Sequence, residues 1–276
     1  MTAAPAARAA PGDGLLRGLP FALAVLLVLA AIAYPLASGA ARDVVSWTIV
    51  LLGASLSVVH AGASRGPRSG LAVLALVTAV AVAFEAIGLA TGFPYGRYTY
   101  SDTLGPTLLG VPLLVPLAWL MMAWPSWVLA RRLAAPVRAS RRRPARVVAA
   151  AAVFAGWDVV LDPQMVQAGY WTWADPSPGL PGIDTVPLTN LAGWLLAGVV
   201  LMSLLDPLVA RTALPRSPRT GDAPALLVLG WMTLGGAVAH AGWLGLPGSA
   251  AWGAALALPV LAVLLVQRRR AAAVRR

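Results

Sequence analysis

The sequence predicts an all-α fold, a polytopic membrane bundle of about eight transmembrane helices. Three observations carry this. The 276-residue chain is 59% hydrophobic and 11% charged, where a soluble domain runs at about 25% charged. Its mean hydropathy is +0.77. Apolar runs recur near 19–37, 44–62, 70–91, 108–130, 147–164, 189–210, 224–244 and 249–267, each about as long as roughly 30 Å of hydrocarbon requires. Arginines fall between the runs. No polar stretch is long enough for a soluble domain, so 1–276 reads as a single integral-membrane domain.

Taken in order, the spans define an orientation. With both termini cytoplasmic, Arg8 and Arg17 precede the first span, and Arg65 and Arg68 link the second to the third. The cluster from Arg131 to Arg146 links the fourth to the fifth, and Arg211, Arg216 and Arg219 link the sixth to the seventh. Arg268 to Arg276 form the tail. Of the 21 basic residues, all arginine, only Arg42 and Arg97 fall outside, as the positive-inside rule requires. A cleaved signal peptide ending near "ASGA" is the rival for the first span and would leave seven. Residues 1–14 and 268–276 read as flexible cytoplasmic ends. The exclusive use of arginine and the abundance of alanine point to a bacterial cell membrane. The net charge of +11 raises nucleic acid as a partner, but no basic stripe is interleaved with aromatics. The absence of cysteine removes disulfides, thiolate metal sites and a cysteine nucleophile.

Depth then sorts the intramembrane polar groups. Glu85, Asp158, Asp162 and His240 come late in outward-running spans and belong to the outer half; His60 and Asp206 come late in inward-running ones. Asp206, followed by Pro207 and Arg211, reads as a helix-end residue beside a basic loop. The two histidines lie at opposite depths, which argues against a shared haem or metal. His240 is open to a packing role or to one at the substrate.

A repeat is visible at an offset of 73. "GRYTYSD" (Gly96 to Asp102) and "GYWTWAD" (Gly169 to Asp175) share Gly, aromatic, Thr, aromatic, small and Asp positions. The same offset carries Glu85 onto Asp158. With two residues inserted, Val111 matches Val186 and Trp119 matches Trp194. Spans 3–4 and 5–6 then form a parallel repeat about an axis along the membrane normal. This sets Glu85 opposite Asp158 across a central cavity capped by Tyr98, Tyr100, Trp171 and Trp173. An interfacial aromatic belt is the other reading of those four. Arg97 reads either as a partner of a nearby carboxylate or as a solvated loop residue.

An ionised carboxylate at mid-bilayer costs roughly 2.5–3.5 kcal/mol on insertion scales, so Asp158 and Asp162, on one helix face, need a reason. A Mg²⁺ site of the D-x-x-x-D type lacks its second acidic motif, because Leu89 stands at the equivalent position. An ion pathway lacks visible inverted repeats. The third reading is acid–base catalysis on an apolar substrate arriving through the lipid. Burial and a facing like charge both favour a protonated carboxyl. Such an acid delivers a proton while an ionised neighbour orients water, and aromatic faces stabilise the cation between. No glycine-rich nucleotide loop or metal cluster is visible, so no cofactor is expected. Asp162, just before Pro163, reads equally as catalytic or as a helix-ending residue.

"GFPYGRYTY", "WDVVLDPQMVQAGYWTW" and "VPLTNLAGWLL" resemble the motifs of the integral-membrane carotenoid biosynthesis protein family over roughly 84–205. That resemblance implies cofactor-free hydration of terminal isopropylidene double bonds on bisanhydrobacterioruberin-type or monocyclic carotenoids, in the cell membrane. Glu85 and Asp158 are the expected acid–base pair, with Asp162 beside them. Tyr95, Arg97, Tyr98, Tyr100, Trp157, Trp171, Trp173, Asn190, Trp194 and His240 are the expected substrate contacts. A carotenoid cyclase or isomerase, and a transporter or carotenoid-binding protein, are the alternatives.

Overall fold

The computed structural model describes residues 13–210 and 220–274. Eight helical segments among them are long and apolar enough to cross a membrane. The chain is a multi-pass transmembrane helix bundle, as the hydropathy predicts. The first six spans are α1 (Asp13–Ala33), α2 (Gly39–Arg65), α3 (Pro67–Thr91), α4 (Leu114–Leu133), α5 (Ala139–Gln167) and α6 (Leu188–Ala210). The seventh, Ala223–Leu244, is composite. It holds α7 (Ala223–Gly230), a π-helical turn at Trp231–Gly235, α8 (Gly236–Ala239) and a second π turn at His240–Leu244. The last helix, α9, is Pro247–Val274. Of the expected flexible ends, 1–12 and 275–276 lie outside the described residues, as do Arg8, Arg211, Arg216 and Arg219.

α4 is the hub, with 83% of its spanning window buried, against 22% for the first span and 17% for the last. It carries Trp119, Trp124 and Trp127, all buried, where an outer helix turns apolar side chains to lipid. α5 does not stop at Asp162: it runs through Pro163 to Gln167, so the helix-ending reading of Asp162 is corrected. A proline removes one backbone donor, and the rest of the helix retains its ladder when packing holds it. α5 lies against α6 and α4 along its length.

The loops after α3 and α5 meet. Strand β1 (Tyr98–Tyr100) pairs antiparallel with β4 (Trp171–Trp173), setting Thr99 opposite Thr172. Ser101 N–H donates to Tyr170 O and Ala174 N–H to Arg97 O, both at 2.8 Å. Of these pairings only Thr99 with Thr172 joins positions that the 73-residue offset equates; the antiparallel register crosses the others about that pair. Trp119 and Trp194 also touch, with ring centroids 4.9 Å apart. Gly96 and Gly169 hold φ +88° and +76°, a turn that only glycine makes without strain. A second hairpin, β2 (Thr107–Leu108) with β3 (Val111–Pro112), leads into α4.

Candidate active site

Beneath the β1–β4 cap lies a cavity of about 90 Å³ lined by Glu85 of α3, Asp162 of α5 and Asn190 of α6. Its walls are aromatic. Trp119 and Trp194 come from α4 and α6, Trp157 from α5, and Tyr98, Tyr100, Trp171 and Trp173 from the cap. Tyr95 also lines it, wedged between helices at two glycines. A Cβ on Gly88 would sit 3.0 Å from its ring, and one on Gly193 2.6 Å. No side chain larger than hydrogen fits at either position.

Glu85 is 4% exposed. Its Oε2 accepts from Tyr98 Oη at 2.5 Å and from Tyr100 Oη at 2.7 Å. Burial first, and the neighbouring Glu85 next, push both phenols above the ordinary tyrosine range. Both therefore remain donors at any working pH. The two aspartates share one amide. Asn190 Nδ2 donates to Asp158 Oδ2 at 2.9 Å and, in a second short bond, to Asp162 Oδ2. No arginine touches Glu85, Asp158 or Asp162 in any ion pair among the described residues.

The sequence places Glu85 opposite Asp158. In the structure the carboxylate lining Glu85's cavity is Asp162. Asp158, one turn earlier on α5, lies behind Asn190 against Pro187 and Leu191. Arg97 is exposed and offers only its carbonyl to the ladder. His240 is buried one layer back, bonded to Ser249 Oγ at 2.8 Å and to Gln164 Oε1 at 2.9 Å. Gln164 itself lines the cavity. His60 sits far from both, accepting from Trp124 Nε1 and facing Gly221 O. Its Nε2 therefore carries the proton. Among the described residues no three His, Asp or Glu gather to hold a metal.

Several cavity residues were not among the contacts expected from the sequence. Tyr34, Ser46, Gln164 and Tyr170 all line it. Tyr170 Oη donates to Asp43 Oδ1 at 2.6 Å and lies 3.2 Å from Ser46 Oγ. Burial pushes this phenol up as well. A polar residue inside an apolar run was the available signal for Gln164, two positions after Asp162. Tyr95 Oη is buried with no hydrogen-bond partner.

The family model described as "Carotenoid biosynthesis protein" matches residues 45–260. A bisanhydrobacterioruberin hydratase from Haloarcula japonica is 37% identical over 161 residues, 58% of this chain and 52% of that relative. The chain thus spans about half the length of the curated relative it matches. No solved structure matches it.

Proposed function

The chain belongs to the carotenoid biosynthesis protein family, and from that premise we propose that it adds water across a terminal carbon–carbon double bond of a carotenoid end group. The observation that carries the reading is the set of unpaired acids around one aromatic cavity. Glu85 and Asp162 share it without a cationic partner. The similarity to a bisanhydrobacterioruberin hydratase supports the same chemistry.

Two phenols donating to one Glu85 oxygen suit an ionised carboxylate. Two aspartates bridged by one amide suit a single shared proton, because like charges so close oppose each other. The aspartate pair is therefore the acid. Asp162 delivers its proton to the less substituted alkene carbon, and the π bond becomes a C–H bond and a tertiary cation. The faces of Trp119, Trp157 and Trp194 stabilise that cation. Water, held by Tyr95 Oη and Glu85, attacks it; the new C–O bond forms as Glu85 takes the surplus proton. Transfer of that proton back to Asp162 resets the site. The sum is alkene plus water giving a tertiary alcohol, with no electrons exchanged and no cofactor required. We assign the cap and the loops 92–107 and 165–188 to the outer face of the cell membrane and both termini to the cytoplasm, on the arginine asymmetry. The repeat belongs to the same proposal, with Glu85 and the aspartate pair contributed by its two halves.

The experiment is pigment analysis in a host supplied with an acyclic carotenoid. Asp162→Asn and Glu85→Gln should each reduce hydration by roughly 10²- to 10⁴-fold, with the yield of inserted protein level or higher. Product formation at wild-type rate by either variant would refute the mechanism.

A further inference from the structure

A cavity of about 90 Å³ is smaller than the roughly 150 Å³ cavity that accepts benzene. It holds the last few carbons of an end group and a water, no more. The rest of a long polyene must lie elsewhere. Six residues of the cavity wall, Tyr34, Ile49, Trp157, Leu161, Gln164 and Met232, are at the same time the wall of a second space of about 800 Å³. That space runs between the end of α1, α5 and the seventh span, and none of its lining residues is charged.

Three features make it a lateral opening rather than a packing defect. Its rim residues Leu36, Val238 and Trp243 are 72%, 63% and 62% exposed, and all three belong to segments long and apolar enough to cross a membrane. Its wall includes Trp231, Met232, Leu234 and Gly235, from a turn of the seventh span that departs from α-helix and buries no residue. π turns of this kind occur often at functional sites. Finally, Gly230 lines this space with nothing within 4 Å of a built Cβ, so there is room beside the wall for a larger side chain.

We infer that this groove is the seat of the substrate's polyene chain, entered sideways from the bilayer, with only the end group passing the Tyr34–Trp157–Met232 neck into the cavity. The inference rests on the reading that a carotenoid end group reacts there. It gives the site a threading geometry: a rigid, extended chain in the groove aims its terminus at Glu85 and Asp162, while water comes from the cap side.

Gly230→Phe tests this, because its backbone is helical and its side chain enters open space. Gly242→Phe is the control, since Gly242 also has open space around it but does not line the groove. The full chain in lipid nanodiscs is given an acyclic carotenoid, and binding is read from the visible circular dichroism that a polyene acquires in a chiral seat. Wild type, Glu85→Gln and Gly242→Phe should show the signal; Gly230→Phe should lose it. Hydration of the carotenoid relative to that of a short alkene with the same end should fall about tenfold or more in Gly230→Phe, the scale of a steric mismatch in an apolar pocket. Ala239→Phe, further along the groove, should repeat the loss. A wild-type signal and ratio in Gly230→Phe would overturn the assignment, as would a phospholipid acyl chain that the polyene fails to displace. Binding lost in Gly230→Phe while Glu85→Gln still hydrates would leave the groove standing and remove only the catalytic reading.

Discussion

The antiparallel helices α5 and α6 are clasped by buried carboxylates at both ends, and the two clasps are built from opposite materials. At one end Asp206 of α6 accepts from Arg146 Nη2 of α5 at 2.7 Å, from Arg146 Nε in a second, short bond, and from Trp127 Nε1 at 3.0 Å. Arg143 adds a longer contact at 3.8 Å. At the other end Asp158 and Asp162 of α5 share the neutral amide of Asn190 of α6, and no arginine pairs with either among the described residues. Burial is alike, with Asp206, Asp158 and Asp162 all 1–3% exposed. The partner differs. An arginine fixes a carboxylate in its charged form and makes it a fastener. Neutral donors leave it able to gain and lose a proton, which a fastener does not need and an acid does. The division matches depth: Asp222, paired with Arg131 and Arg132 at 2.8 Å, belongs to the arginine end.

The comparison makes crossed predictions, the largest first. Asp206→Asn leaves the mostly buried Arg146 guanidinium without its counter-charge. Breaking a buried pair this way costs about 3–5 kcal/mol. The solubilised chain should melt well below wild type, while turnover per folded molecule stays level. Glu85→Gln should do the reverse. If Asp206→Asn melts normally and instead loses hydration, the two clasps do not differ in kind.

The clasps were unequally legible in the sequence. Spans, their order and the arginine bias follow from hydropathy and charge alone, and the observed span from Gly18 to Leu36 nearly reproduces the run at 19–37. The β1–β4 pairing was foreshadowed by the repeated Gly-x-aromatic-Thr-aromatic pattern, which marks equivalent residues without saying that they hydrogen-bond. The rotation of α5 was not written there. Asp158 and Asp162 share a helix face, but which of them reaches the cavity depends on how Asn190 docks from α6, a contact 28 to 32 residues away in sequence. The groove was invisible for a related reason. Two π turns in the seventh span have no hydropathy signature, since widening a helix changes its hydrogen bonds and not its composition.

Asp158 offers the next, smaller effect. It touches Asn190 and does not line the cavity, so in the proposed mechanism its part would pass through the shared amide and a proton divided with Asp162. Asp158→Asn keeps the shape and removes only that sharing. Turnover should drop by about ten- to a hundredfold, less than for Asp162→Asn, since acid–base assistance is impaired rather than removed. The Michaelis constant and the melting temperature should not move. An unchanged kcat would confine Asp158 to packing, and a raised Michaelis constant would place it at the substrate.

The smallest single effects belong to the phenols on Glu85, and here the pattern matters more than the size. Tyr98 and Tyr100 donate to the same oxygen, so removing one hydroxyl leaves the other in place. Tyr98→Phe and Tyr100→Phe should each lower turnover by about tenfold, equivalent to roughly 1.4 kcal/mol of barrier. The double variant leaves Oε2 with neither phenol, in a wall where an unmet buried acceptor costs more than the net worth of either bond. Its loss should exceed the product of the singles and approach that of Glu85→Gln, because each hydroxyl covers for the loss of the other. The ring edges persist in phenylalanine, and with them the packing of Tyr98 against Tyr95 and Trp173, so the melting temperature should hold. A double variant no slower than either single would mean that the phenols only line the wall. Glu85 would then stand without the neutral clasp that separates its end of the bundle from Asp206's.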